Sequence, residues 1–320
     1  MIVEIHAKTD IGRVRAGNED NLLVLDLSRA KSWTGSDGAE PPGDLGRFPV
    51  SGEGAVMIVS DGMGGALAGD VASRMTVETV RDLLLGKIGE DDGLQSPPGV
   101  RLIERLREAT DIANYRIHRR SVEDARCTGM GATLTGAAIT GDGIDFVQVG
   151  DSRGYVIREG QIKLATKDQS LVQQLIDVGQ ITEQEAETHM FRNVILQALG
   201  AQAEMTPVSG RVRVRAGDML LLCSDGLSGK LRAEDMRQIV ANSGGNLARA
   251  CEGLIGEANQ RGGEDNITVV LARFTGDDLA PPDSEKITVE LIDLMEGGKN
   301  RDADDDDDTH ETLSPDRTKL

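Results

Sequence analysis

Short apolar runs and longer amphipathic segments follow one another along the chain. The apolar runs predict β-strands, and they cover residues 55–60, 132–139, 144–149, 219–223 and 267–274. Two segments, 68–85 and 102–117, have apolar residues at every third or fourth position, which predicts helices packed through one face. Because helices and strands are mixed along the chain, the pattern indicates an α+β fold with extensive sheets.

Two segments lack these patterns. Residues 31–54 are rich in Gly, Pro and Ser, and we predict a long surface loop that contains Trp33. Residues 276–320 include 15 acidic and 5 basic side chains, a composition typical of disordered chains. Within them only 287–295 is predicted to form a short amphipathic helix. We therefore expect one domain over residues 1–275 and an acidic, disordered tail over residues 276–320.

The composition argues against several classes of function. The 320 residues carry 35 basic and 54 acidic side chains, a net charge of −19, which repels nucleic-acid backbones and anionic membranes. Aromatic residues make up 2% of the chain, too few to stack on single-stranded nucleic acid. The three cysteines have no paired spacing, and the sequence has no signal-peptide or membrane-span pattern. We expect a cytoplasmic protein without nucleic-acid or membrane partners.

Acidic residues recur at the edges of the predicted strands. Five such positions are present, at Glu19-Asp20, Asp61, Asp151, Asp225 and Glu264-Asp265. For a single pair such as Asp61-Gly62, a tight turn is the simpler interpretation. The recurrence favours a second hypothesis, in which the acids meet in space and a bound cation offsets their mutual repulsion.

The residue types indicate which cation such a site would hold. All the candidate ligands are oxygen atoms, which favours Mg²⁺ or Mn²⁺ over zinc or copper. Gly62 has no side chain, so its backbone carbonyl can approach a cation closely. Sites of this kind activate water and clamp the oxygens of a phosphoryl group, so we predict hydrolysis of a phosphate ester. Arg15 is the nearest candidate to bind the substrate phosphate, although alone it would be interpreted as a surface arginine.

Six groups of residues occur in a characteristic order. They are Thr9-Asp10-Ile11-Gly12 with Arg15 and Asn18-Glu19-Asp20, Ser60-Asp61-Gly62-Met63-Gly64-Gly65, Gly131-Ala132-Thr133, Gly150-Asp151-Ser152-Arg153, Ser224-Asp225-Gly226-Leu227, and Asp265-Asn266-Ile267-Thr268. With them the chain resembles, over residues 8–274, the bacterial metal-dependent (type 2C) Ser/Thr protein phosphatases. The ordered set is specific, whereas the Asp-Gly-Met-Gly-Gly motif alone would be weak evidence.

The resemblance implies a metal-binding role for each matching residue. Asp61 would bridge two ions, Mn²⁺ or Mg²⁺, and Asp225 and Asp265 would complete the first site. Glu19 and the carbonyl of Gly62 would serve the second site.

Three further roles follow from the same resemblance. Asp151, together with Asp225, matches a third, weaker metal position. Arg15 matches the residue that grips the substrate phosphate, and Asp20 would act through metal-bound water. The implied fold is a pair of stacked, mainly antiparallel β-sheets flanked by helices. The implied reaction is direct attack of a metal-bridging hydroxide on phosphoserine or phosphothreonine, with Ser/Thr protein kinases and their targets as partners.

The resemblance also assigns residues 164–200 to a flap segment beside the active site. In two places the sequence departs from the family pattern. Gln169 stands where many relatives have His, and Met63 stands where eukaryotic members have a His proposed as general acid. His189, within the flap, could approach the site but is more simply interpreted as a surface residue.

Three alternatives compete with this interpretation. A cysteine-dependent phosphatase needs Arg six residues after the nucleophile, and no cysteine here has one. A catalytically weak relative that only binds phosphoproteins or regulates other proteins would usually lack metal ligands, and none is missing. A calcium loop starting at Asp302 fails because its twelfth position is Leu313 rather than Glu.

Overall fold

Two antiparallel sheets form the centre of the protein in the computed structural model, which describes residues 1–37, 41–65, 68–87, 99–141, 143–282 and 286–292. Within these residues the first sheet has six strands: β1 (Ile2–Asp10), β4 (Arg47–Pro49), β9 (Arg153–Arg158), β10 (Gln161–Leu164), β12 (Met219–Cys223) and β13 (Ile267–Thr275). Their spatial order is β10-β9-β12-β13-β1-β4.

The second sheet has eight strands within the same residues: β2 (Asp20–Asp26), β3 (Lys31–Thr34), β5 (Ala55–Met63), β6 (Gly131–Ala132), β7 (Leu134–Thr140), β8 (Gly143–Val149), β11 (Val208–Arg213) and β14 (Glu290–Ile292). Their order is β14-β11-β8-β7-β5-β2-β3, and β6 pairs with the end of β5.

The described residues form seven α-helices: α1 (Ala68–Leu84), α2 (Leu102–Glu123), α3 (Leu171–Asp177), α4 (Glu183–Glu187), α5 (Asp225–Ser228), α6 (Ala233–Asn242) and α7 (Leu247–Gln260). Four of them, α1, α2, α6 and α7, cover the outer faces of the sheets. One apolar cluster joins α1 and α2 to the second sheet, and another joins α6 and α7 to the first. The predicted sandwich of stacked sheets flanked by helices is thereby confirmed.

The strands are continuous apolar runs because each sheet is covered on both faces. In β2, Leu22 and Val24 point into the cluster between the sheets, whereas Leu23 and Leu25 belong to the cluster beneath the helices. Few aromatic side chains are available, so Val, Ile, Leu, Ala and Met fill most of both clusters.

The region predicted as a loop at 31–54 is only partly a loop. Lys31–Thr34 pairs with β2, and Arg47–Pro49 pairs with β1. Trp33 and Phe48 are 2% exposed and lie in the core between the sheets. The loop prediction was wrong at these positions because the Gly and Pro residues around them obscured two short edge strands.

The chain beyond residue 275 differs from the expectation of an unordered tail. Leu279 and Ile287 are buried in the core between the sheets, and β14 pairs with β11. The prediction of a short helix at 287–295 was wrong for Glu290–Ile292. These residues form β14 instead, because β11 has a free edge whose backbone N–H and C=O groups β14 satisfies. Residues 293–320, including the acidic run at 304–308, lie outside the described residues. The division at 275 stays a prediction.

A chain that ends at Thr275 is expected to be less stable than the full chain, because it loses Leu279 and Ile287 from the core. Burial of a Leu or Ile side chain contributes about 1.5–3 kcal/mol, so we expect the free energy of unfolding to fall by about 3 kcal/mol. Urea denaturation followed by circular dichroism measures the difference. A chain that ends at Ile292 keeps these contacts and is the control; equal stability of both truncated chains would show that the segment does not stabilise the domain.

Candidate metal centre

The predicted acidic residues all lie at one end of the sandwich. In the second sheet, Asp20 at the start of β2 is the register partner of Asp61 near the end of β5. In the first sheet, β12 and β13 are antiparallel, so Asp225 just after β12 lies at the same end as Asp265 just before β13. Asp151 lies in the connection that leads from β8 in one sheet to β9 in the other.

The turn interpretation is excluded at Asp61-Gly62. Both residues lie inside β5, and Gly62 pairs with Ala132. A Cβ atom at Gly62 would lie 2.1 Å from the carbonyl oxygen of Gly69 and 2.7 Å from that of Glu19. Glycine is therefore required here by close backbone approach, and that approach brings the backbone of Glu19 next to Gly62.

Hydrogen bonds connect the two sheets at this end. The hydroxyl of Ser224, just before Asp225, donates to Asp20 Oδ2 over 2.7 Å and accepts from the backbone N–H of Thr268 over 2.9 Å. Thr133 Oγ1 accepts from the backbone N–H of Asp61 over 2.9 Å and lies 2.7 Å from Ser152 Oγ. These hydroxyl groups hold the acidic residues of both sheets in a common frame.

Asn266 is the residue that connects most parts of the site. Its side-chain oxygen accepts from the backbone N–H of Glu19 over 2.8 Å. Its amide group donates to the carbonyl oxygens of Ile11 and Gly17 over 2.9 and 3.0 Å. One buried side chain thus fixes Glu19 and both ends of the loop that carries Arg15.

Arg15 projects from that loop toward the acidic residues. Its side chain is 47% exposed, and a guanidinium nitrogen lies 2.7 Å from Asp265 Oδ2. The hydrogen bond to Asp265 raises the pKa of Arg15, and the charges of Glu19 and Asp61 act in the same direction. The guanidinium therefore lies at the open edge of the acidic cluster, where a phosphate group could reach it.

Burial and mutual repulsion raise the pKa values of the clustered acids. Burial is the main cause for Asp61, and the charges of Asp20, Asp225 and Asp151 add to it. Burial likewise raises the pKa of Asp151 and Asp225 and raises that of Asp20 to about 7. A hydrogen bond between Asp61 and Asp225 raises the pKa of Asp61 further. Folding thus holds these carboxyl groups together although their burial and mutual repulsion are unfavourable. A bound cation would offset that repulsion.

The donor set fits a hard divalent cation. Asp20, Asp151 and Asp225 each have a buried oxygen without a hydrogen-bond partner within the described structure, and such oxygens are rarely left unsatisfied. Within the described residues, no group of three or more His, Cys, Asp or Glu side chains is already arranged to hold a metal ion. Asp265 is paired with Arg15 instead, and the charge of Asp225 raises the pKa of Asp61. Oxygen ligands of this type suit Mg²⁺ or Mn²⁺.

The residues considered for acid catalysis differ in their placement. His189 accepts from the backbone N–H of Phe191 and packs against its ring within the flap. Met63 forms the last residue of β5. Gln169 is 8% exposed and bonds to the turn before Asp151.

Sequence reasoning missed the contacts of Ser224, Asn266 and Gln169, because uncharged polar residues give no signal until their partners are known.

Comparison with known proteins identifies the same family as the sequence motifs. The family description "Protein phosphatase 2C" matches residues 41–253. The chain is 34% identical over 272 residues to the Ser/Thr protein phosphatase PstP of Mycobacterium tuberculosis, covering 85% of this chain and 45% of PstP. It is 35% identical over 276 residues to the protein phosphatase PhpP of Streptococcus pneumoniae, covering 86% of this chain and 99% of PhpP.

Solved structures have the same architecture. The crystal structure of the catalytic domain of PstP in complex with two manganese ions is 32% identical, with a TM-score of 0.66, and the match covers 86% of this chain and 99% of that one. The crystal structure of the M. tuberculosis phosphatase itself gives a TM-score of 0.68 at 32% identity, covering 86% and 100% of the two chains.

The fold and the acidic cluster define a sandwich of two stacked sheets with a group of buried carboxyl groups at one end. The chain belongs to the protein phosphatase 2C family. It spans about half the length of PstP and nearly all of PhpP. No helix in the described residues has the length and apolar character needed to span a bilayer.

Replacement of Asn266 by Ala is expected to raise the KM for p-nitrophenyl phosphate about ten-fold, because the loop that carries Arg15 loses two of its anchors. In an Arg15→Ala background the same replacement should have a much smaller effect. Steady-state kinetics with excess Mn²⁺ measures both. Asn246→Ala, which removes the cap of α7, is the control and should lower stability without changing KM. Additive effects of Asn266→Ala and Arg15→Ala would contradict the positioning role.

The stability of the metal-free protein is expected to fall as the pH rises from about 4 to about 7 and above. The pKa values of Asp20, Asp61, Asp151 and Asp225 are raised in the folded state, so the folded protein binds more protons than the unfolded chain, and ionisation disfavours folding. Cations offset this repulsion. The increase in melting temperature caused by Mn²⁺ should therefore be larger at about pH 7.5 than at about pH 5.5; an equal increase at both would contradict the prediction.

Proposed function

We propose that this protein is a metal-dependent protein phosphatase that hydrolyses phosphoserine and phosphothreonine. The observation that carries the proposal is the set of unpartnered, buried carboxylate oxygens of Asp20, Asp151 and Asp225 beside the exposed guanidinium of Arg15. Membership of the protein phosphatase 2C family supports it, as do the Ser/Thr phosphatase names of its relatives.

We assign the metal ligands as the family resemblance implies. Asp61 would be shared by two ions, with Asp225 and Asp265 on the first. Glu19 and the Gly62 carbonyl would bind the second. The cation is Mn²⁺ or Mg²⁺, and the two manganese ions of the PstP catalytic domain support this choice. When bound, such cations lower the pKa of water and neutralise charge that develops on a phosphoryl group.

A third, weaker cation position is proposed at Asp151, together with Asp225. Asp151 is 7% exposed and has a buried oxygen without a partner in the described structure. The charge of Asp225 contributes to its raised pKa, which indicates that the two carboxyl groups are close.

The chain's own residues bind and orient the substrate. The Arg15 guanidinium can hold two phosphate oxygens with its planar fork of donors, and Asn266 fixes the loop from which it projects. Asp20, held by Ser224, is placed to accept a proton from water at the site. Neither Met63 nor Gln169 supplies a side-chain acid for the leaving group, a need that is small in a loose transition state.

Phosphorylated proteins are the proposed substrates, with Ser/Thr protein kinases and their targets as partners. The names of the relatives indicate protein substrates, and the flap provides exposed apolar side chains, among them Met190 and Phe191. We place the protein in the cytoplasm. All three of its cysteines are free and buried, as expected in a reducing compartment.

Replacement of Asp225 by Asn is expected to lower Mn²⁺-dependent kcat/KM by about 100-fold or more, because Asp225 contacts Asp61 and would bind the cations. Release of phosphate from p-nitrophenyl phosphate and from phosphoserine and phosphothreonine peptides measures this effect. Asp111→Asn, an exposed substitution on α2, is the matched control and should have full activity. A wild-type protein that is inert with excess Mg²⁺ or Mn²⁺, or an Asp225→Asn variant with full activity, would refute the proposed function.

A further inference from the structure

The turn that carries Asp151 begins with a glycine, which has little conformational restraint of its own. Gly150 has a φ of +96°, and a Cβ atom there would lie 2.7 Å from the Thr133 methyl carbon. The turn therefore requires glycine, whose backbone has the widest conformational freedom. The position of Asp151 must then be fixed by hydrogen bonds from neighbouring residues.

Two glutamine side chains provide those hydrogen bonds. Gln148 donates from its amide to the carbonyl oxygens of Gly150 and Ser152 over 3.0 and 2.8 Å, and so holds the turn from within β8. Gln169 holds it from the other side. Its Oε1 accepts from the backbone N–H of Gly150 over 2.7 Å, and its own backbone N–H donates to the Gly150 carbonyl over 3.0 Å.

Gln169 also lies at the base of the flap. Its carbonyl oxygen accepts from the backbone N–H of Leu196 over 2.8 Å, and Leu171 donates to the carbonyl of Val194 over 2.8 Å. The two ends of the exposed part of the flap are thus joined at Gln169. Its two neighbours, Asp168 and Ser170, are also buried.

A second contact holds the same base in place. Asp168 forms an ion pair with Arg153, with N···O distances of 2.7 and 2.9 Å, and accepts from the backbone N–H of Ser170 over 2.7 Å. This ion pair fixes the backbone of the base on β9. The Gln169 side chain, in contrast, bonds to the Gly150 turn.

We propose that Gln169 is a positioning residue that aligns Asp151 for cation binding through the Gly150 turn. The inference rests on the proposed function, in which Asp151 binds the weaker cation. Residues that orient a ligand by hydrogen bonds typically change metal affinity by about 10- to 100-fold when they are replaced. Because such linkage is reciprocal, a cation at Asp151 should also stabilise the hydrogen bond from the Gly150 N–H to Gln169.

The test uses the full chain and three substitutions. Gln169→Met removes the acceptor at nearly constant size, whereas Gln169→Glu retains an oxygen acceptor for the Gly150 N–H. Gln173→Met makes the same chemical change on α3, where the side chain bonds only to exposed Asp177 in the described structure. Electron paramagnetic resonance of free Mn²⁺ measures the number and dissociation constants of the bound ions. Asp151→Asn identifies which class of ion belongs to Asp151.

We expect a tight class and a weaker class of Mn²⁺ in the wild type, with the weaker class lost in Asp151→Asn. Gln169→Met should weaken this class about 10-fold and leave the tight class unchanged. Gln169→Glu should bind at least as tightly as the wild type, and Gln173→Met should bind as the wild type does. Circular dichroism checks that each variant is folded.

Amide hydrogen exchange provides a second readout, which a purely structural role would not change. In the wild type, Mn²⁺ at concentrations that fill the weaker class should slow exchange at Gly150, whose N–H donates to Gln169, and Gln169→Met should abolish this response. Unchanged weak binding in Gln169→Met, or no response at Gly150 in the wild type, would overturn the inference while leaving the phosphatase activity intact. Weak binding that survives Asp151→Asn, or no weaker class at all, would also overturn it. Loss of Mn²⁺-dependent hydrolysis in the wild type would instead refute the proposed function.

Discussion

Mutual repulsion between buried carboxylates is the constraint on which this protein depends. Burial together with neighbouring charges raises the pKa values of Asp61, Asp151 and Asp225, so the chain spends folding free energy to assemble them. A bound cation would offset this repulsion and stabilise the cluster.

Antiparallel pairing explains how distant acids meet. In an antiparallel pair the end of one strand lies beside the start of its neighbour, and this relation holds for β2 with β5 and for β12 with β13. Stacking then places both pairs at one end, where Ser224 bonds to Asp20 across the sheets. Strand pairing and sheet stacking therefore bring the acidic residues together without a long loop.

Much of the fold could be predicted from the sequence, because the spacing of apolar residues indicates which positions of a strand or helix are buried. The strand at 219–223 and the helix from residue 68 agree closely with β12 and α1. The strand predicted at 132–139 is interrupted at Thr133, whose hydroxyl instead bonds to Asp61 and Ser152. Short edge strands such as β14 could not be predicted, because three residues contain too little pattern and their pairing depends on a partner far along the chain.

Only part of the candidate site could be predicted from the sequence. Carboxylates at strand ends have a clear chemical signature, so the acidic residues can be singled out from the amino-acid sequence alone. The amide side chains that align them have no such signature. Asn266 and Gln169 act through backbone groups of Glu19 and Gly150, and backbone groups are the same in every sequence. Only three-dimensional contacts reveal which amide is attached to which turn.

The direction of β14 has a practical consequence. β14 and β8 are both antiparallel to β11, so they run the same way, and β8 leads into Asp151. Any polypeptide joined after Ile292 therefore starts at the end of the molecule that holds the acidic cluster, whereas one joined before Met1 starts at the opposite end, since β1 runs toward the loop that carries Arg15. An affinity handle or fluorescent label intended to leave the acidic cluster accessible belongs at the amino terminus.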